Sequence, residues 1–160
     1  MNVSFTKNSP QNSTIIDSAT EKQLFELSTP ATTTTLRDVQ SGETVGIVEW
    51  HSFHKNRVTV RGEKAELDEW LHSEGWLHSS RTFRASNGIE YKWKRSDNKW
   101  VLVDGNSGFT VVQHHPAHLG MVHKAENTNL NVDQSVLAFL DVVVLAFIIM
   151  EKMNRGTPPP

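Results

Sequence analysis

Eight histidines are the residues of this 160-residue chain that most readily invite a chemical reading. His51 and His54 stand three apart, and His114, His115, His118 and His123 gather further on. Neutral imidazoles ligate zinc or nickel. His114, His115 and His118 are therefore weak metal candidates, and a histidine- or metal-assisted hydrolase is one alternative for the chain. The pattern lacks the partners that such chemistry needs: there is no H-E-x-x-H run, no carboxylate at ligand spacing, and Pro116 points to a loop. Exposed or locally bonded histidines are the simpler reading, and no metal or cofactor is expected. Protonating all eight would move the net charge from −2 to +6, mostly between about pH 7.5 and 5.5.

Other catalytic patterns are weaker. Asp68 and Glu69 are adjacent, with Glu63 and Glu66 nearby. A glycosidase needs two carboxyl groups about 5–9 Å apart across a cleft, and solvated acids are far commoner. No G-x-S-x-G elbow occurs, and Gly42, Gly62, Gly88, Gly105 and Gly108 fall at turns, not in a phosphate-cradling loop. No catalytic residue is assigned.

Two binding patterns remain. Lys92 and Lys94 project together from one alternating segment, Arg84 belongs to its hairpin partner, and Arg57 and Arg61 lie on another alternating run. Such cations neutralise phosphate groups, although Glu90 shares the first face. Among the five tryptophans, Trp50, Trp93 and Trp100 fall in strand-like runs. Trp70 and Trp76 flank Leu71–Gly75. Exposed tryptophan stacks on sugars, so a carbohydrate-binding module is a further alternative; packing at the rim of the fold is the commoner fate.

The elements that position these residues read as β over most of the chain. Short runs alternate apolar and polar residues between turn signals: Val3–Phe5, Leu24–Leu27, Thr32–Leu36, Val45–Trp50 and Arg57–Arg61. Asn87-Gly88, between Arg81–Ala85 and Ile89–Lys94, predicts a type I′ hairpin turn. It sends Ile89, Tyr91 and Trp93 to one face. Ser96–Asn98 and Asp104–Gly108 turn the chain again, so an antiparallel meander is expected. Leu67–Leu71 interrupts it with helical spacing and is expected to cap an open end of the sheet.

Val136–Met150 is a dense apolar block preceded by Asp133, a good N-cap. Its fifteen residues span roughly 22 Å as a helix, short of the ~30 Å bilayer core, and Asp141 interrupts it. A helix apolar all round belongs in a core or a membrane. Here the expectation is a buried helix at about residues 133–153, enclosed by a barrel of one-sided strands, with Phe139 and Phe147 in the core beside Trp50, Tyr91, Trp93 and Trp100. Asp141 then needs a partner inside the barrel.

Composition bounds the rest. The length fits one domain, read as 1–155 followed by a disordered tail at 156–160. The hydrophobic share is 37% and the charged share 21%. A net charge of −2 lacks the bulk cationic field of a nucleic-acid binder. There is no cysteine and no apolar run in the first twenty residues. The expected setting is therefore intracellular and cytoplasmic, with peripheral membrane association allowed.

Taken in order, several short motifs resemble a family of unknown function from mushroom-forming fungi. They are Asn12–Asp17, Leu27–Pro30 with the following threonine run and Leu36-Arg37, Ile47–His51, Arg61-Gly62, Asp68–Leu71, Arg81–Phe83, Gly88–Lys94, Leu140-Asp141 and Glu151-Lys152. The resemblance covers about residues 3–155. It implies a tubby C-terminal-like barrel, similar to the phospholipid scramblases, with about twelve antiparallel strands around a hydrophobic C-terminal helix. It implies no catalytic residues. Tubby-like domains bind phosphoinositide head groups, so the resemblance makes Arg84, Lys92, Lys94, Arg57 and Arg61 candidate head-group ligands. The expected function is a monomeric, non-enzymatic binding or scaffold module for membrane lipid head groups.

Overall fold

The structure, a computed structural model, describes residues 1–7, 12–75, 79–118 and 127–155. Its first half carries strands β1 (Asn2–Phe5), β2 (Ser13–Asp17), β3 (Gln23–Ser28), β4 (Thr33–Asp38), β5 (Thr44–Glu49), β6 (Arg57–Val60) and β7 (Glu63–Glu66). A short helix, α1 (Leu67–Trp70), follows. The second half carries β8 (His72–Glu74), β9 (Ser80–Arg84), β10 (Glu90–Ser96), β11 (Lys99–Asp104), β12 (Thr110–His115) and β13 (Asn129–Val132). A 3₁₀ turn at Gln134–Phe139 then leads into α2 (Leu140–Arg155).

All the strands join one antiparallel sheet, in the order β7-β6-β5-β4-β3-β2-β1-β13-β12-β11-β10-β9-β8. The strands alternate as the sequence predicts. In β10, Tyr91 and Trp93 are buried while Glu90 and Lys94 are exposed. The dry faces meet α2 from both halves of the sheet. Phe147 touches Phe5 of β1, Trp93 of β10 and His114 of β12, with ring centroids 5.7, 5.6 and 4.9 Å apart. Gly46 of β5 lies against Leu145, where a Cβ would overlap the leucine side chain. Every residue from Val143 to Met150 is buried, so α2 is covered on all faces. No helix among the described residues is long and apolar enough to cross a membrane.

The expected barrel is not closed. Among the described residues the ladder has thirteen strands, and in an odd antiparallel series the first and last strands run the same way. Joining β7 to β8 would therefore make a parallel pair, which needs a crossover of roughly a dozen residues or more. Only α1 and Leu71 link them. The sheet stays open there, and α1 lies against the edge strands instead of capping an end. Leu67 and Leu71 are buried in the seam, and Arg81 ties it by donating to Asp68 Oδ1 (2.7 Å) and to the Leu71 carbonyl (3.1 Å). Such filling protects two sheet edges from intermolecular pairing.

The turns also depart from expectation in one place. Asn87-Gly88 does not form a type I′ turn: Gly88 has φ +80°, but Asn87 is not in the left-handed region. Its side chain is committed elsewhere, accepting from the Ile89 N–H (3.0 Å) and donating to the Tyr91 hydroxyl (2.9 Å). The type I′ geometry appears at the next hairpin, where Asp97 and Asn98 have φ +48° and +63° between Ser96 and Lys99.

Candidate functional site

The antiparallel ladder fixes which loops share an end. One end, where α2 begins, carries the β2–β3, β4–β5, β6–β7, β9–β10 and β11–β12 turns. The opposite end, where α2 exits, carries the β3–β4, β5–β6 and β10–β11 connections, the end of β12 and the start of β13.

Charge divides between these ends. Asp17, Glu21, Asp38, Glu43, Glu63, Glu90, Asp104 and Asp133 lie in or beside the turns at the helix-start end, against Lys22, Arg37, Arg61, Lys64 and Arg84. The helix-exit end carries His51, His54, Lys55 and Arg57 from the β5–β6 connection. Lys94, Arg95 and Lys99 come from the β10–β11 hairpin, His115 and His118 from β12 and its continuation, and Lys152 from α2. Among the described residues its acids are Glu49, Glu66, Glu74, Asp97 and Glu151. The net −2 is thus an average over two unlike ends.

The most exposed large apolar side chain among the described residues stands on the cationic end. Phe53 is 95% exposed at the tip of the β5–β6 connection, between His51 and His54, whose rings lie 6.3 Å apart. The loop is braced at its base. Asn56 Oδ1 accepts from the His51 N–H (2.8 Å), the Asn56 carbonyl accepts from the Leu67 N–H (2.9 Å), and Lys55 pairs with Glu66 (3.3 Å). Phe109, 75% exposed, stands at the other end.

Of the predicted head-group ligands, Arg84, Lys92 and Lys94 do share the outer face of β9 and β10, but two are paired. Arg84 meets Glu90 (3.2 Å), and Lys92 meets Glu74 (2.8 Å) on β8. That hydrogen bond from Lys92 holds the Glu74 carboxyl below its ordinary range. Lys94 is exposed and has no ion pair among the described residues. Arg57 is exposed at the exit end. Arg61 sits at the other end, in the β6–β7 turn with φ +50°. Its Nε donates to Asp141 Oδ2 (3.2 Å), and its Nη1 meets Glu43 (3.3 Å). The bond to Asp141 raises the Arg61 pKa. The partner expected for Asp141 is therefore Arg61, at the rim and not inside the sheet.

The histidines are split by strand alternation. His114 is buried, its Nδ1 accepting from the Trp100 N–H (3.3 Å), while His115 faces outward. His114, His115 and His118 therefore do not converge, and no group of three metal-capable side chains gathers among the described residues. His123 and Trp76 fall outside those residues, as does the 156–160 tail.

Trp93 and Trp100, in strands, and Trp50, just past the end of β5, meet α2. Trp93 packs on Phe147, Trp100 Nε1 donates to Glu151 (2.9 Å), and Lys152 lies 4.9 Å over the Trp50 ring. Burial lowers the Lys152 pKa. Arg95 sits 5.0 Å over Trp100. Trp70 stacks near Phe83 in the α1 seam, with centroids 6.1 Å apart. Sequence reasoning missed Phe53. Its signal was present as one large apolar residue in the polar run His51–Asn56, with no alternation to bury it.

No curated protein matches the chain. The X-ray structure of a protein from Arabidopsis thaliana aligns over 96% of this chain and 90% of its own, at 16% identity and a TM-score of 0.48. Residues 8–156 match a family described as of unknown function, DUF6593. That span takes in β2 through α2, the charged exit end and the Phe53 loop, and the chain belongs to this family.

Proposed function

We propose that this protein is a non-enzymatic binding module that seats its helix-exit end on an anionic membrane surface, with phosphoinositide or other phosphorylated head groups as ligand. The observation that carries this reading is Phe53, 95% exposed on the cationic end of a molecule whose other end is acidic. Cations near an anionic leaflet contribute about 1 kcal/mol each. One inserted aromatic ring adds about 1.5–3 kcal/mol. Neither alone anchors a protein, and together they make a reversible attachment. The acidic end is repelled by the same surface, which orients the approach. The resemblance to tubby-type barrels supports the reading, and we take the helix-enclosing sheet to be such a barrel with an unclosed seam, acting as a monomer.

Vesicle flotation tests it. The full chain is expected to float with phosphatidylcholine vesicles containing phosphatidylserine or phosphoinositide, and not with phosphatidylcholine alone. High salt is expected to release it. Phe53→Ser and Arg57→Glu should each weaken flotation while leaving the fold intact, since both residues are exposed. Absence of flotation with every anionic composition overturns the proposal.

A further inference from the structure

We infer that a depression on the outer face of β1, β11, β12 and β13 binds the phosphate group of a phosphorylated polyol. The inference deepens the membrane reading, since Lys99, His115 and Asn129 stand at the exit-end termini of their strands. Antiparallel register builds the site. Asn129 lies opposite His115 on one side and Ser4 on the other, and Asn131 lies opposite Gln113 and Asn2. Alternation turns His114 inward and so turns His115 out. The result is a depression of about 500 Å³ lined by Lys99, His115, His118, Asn2, Asn129 and Asn131.

Its chemistry is one-sided. The titratable groups that face it are Lys99 from β11, His115 from β12 and His118 beyond it, while β1 and β13 contribute amides. Among the described residues no carboxylate lines it; Asp97, the nearest acid to Lys99 in sequence, belongs to the β10–β11 turn. Asn2 Nδ2 donates to Asn129 Oδ1 (3.0 Å), which fixes that pair. The side chains of Lys99, His115 and Asn131 make no hydrogen bond or ion pair among the described residues. An ammonium, two imidazoles and an amide N–H facing one space suit a tetrahedral oxyanion, whose oxygens accept charge-assisted hydrogen bonds. The volume falls in the usual ligand range of about 300–1,000 Å³ and exceeds what a phosphate alone occupies. The amides suit the hydroxyl groups of the ring that carries it.

The probes are inositol 1,4,5-trisphosphate and unphosphorylated myo-inositol, titrated into the full isotopically labelled chain and followed by NMR. The trisphosphate should shift the His115 ring and Asn131 amide signals saturably, and myo-inositol should not. Lys99→Glu should weaken the trisphosphate about tenfold or more, the loss expected from removing one close charged contact. Lys22→Glu, exposed at the opposite end and outside the depression, should change it little. Amide dispersion of each variant verifies the fold, and His115→Gln serves as a second, milder probe. Equal weakening by Lys22→Glu, or no shift at His115 and Asn131, overturns the site. Flotation on phosphoinositide vesicles without those shifts also overturns it while sparing the membrane reading. Shifts without flotation support it and make a soluble phosphorylated polyol the ligand, which overturns the membrane reading instead.

Discussion

Asp141 is the residue whose placement most needs explanation. A carboxylate in an apolar helix is costly unless it is paired. Here the chain brings Arg61 across from the β6–β7 turn, at a backbone φ of +50° that a non-glycine residue adopts at some cost. Asp141 also accepts from the Val142 N–H through Oδ1 (2.8 Å). The side chains of Asp141 and Arg61 are 17% and 44% exposed, so solvent screens the pair and its contribution is modest. Asp141→Ala should destabilise the fold by about 1–2 kcal/mol in urea unfolding. Arg61→Ala should also destabilise it, and the double variant should cost less than the two single costs combined. Strict additivity would show that the pair contributes nothing. The need for a partner was legible in the sequence. Its identity was not, because Arg61 read as one more cation on an alternating strand.

At the scale of elements, the approach of β5 to α2 depends on Gly46. A Cβ there overlaps the end of the Leu145 side chain, which is itself fully buried and must shift to make room. Gly46→Ala should cost about 1–3 kcal/mol by overpacking, measured as a shift of the urea midpoint. Trimming the opposing side chain should restore part of that loss, so Gly46→Ala with Leu145→Ala is expected to lie above the additive value. The strands with clean alternation, such as the one bearing Tyr91 and Trp93, could be read directly from the sequence, as could the apolar helix and the Asp133 cap. The seam could not. It depends on β7 and β8, whose segments Glu63–Glu66 and His72–Glu74 carry little apolar alternation, and on the odd number of strands they complete. The Asn87-Gly88 turn misled for a local reason: the turn is centred one residue earlier, on Ser86-Asn87, with the Gly88 N–H donating to the Ala85 carbonyl (3.0 Å), so that only Gly88 takes a positive φ.

For the whole molecule, the decisive property is where the charge lies. A net −2 is the same whether the ends match or oppose each other, and only strand direction reveals that histidine, lysine and arginine collect around the exit of α2 while carboxylates collect around its start. The predicted head-group ligands were chosen by face, without knowledge of their ends or pairings, so they include Arg61 and Arg84 at the acidic end. The two exposed phenylalanines supply an internal comparison, because Phe53 stands at one end and Phe109 at the other. The absence of cysteine permits a clean measurement: Ser52→Cys beside Phe53, or Asn106→Cys in the Phe109 turn, labelled with an environment-sensitive fluorophore and mixed with phosphoinositide-containing vesicles. A blue shift at position 52 with none at position 106 is the predicted result. A shift at 106 equal to or larger than that at 52, or no shift at either, would contradict the docking of the helix-exit end.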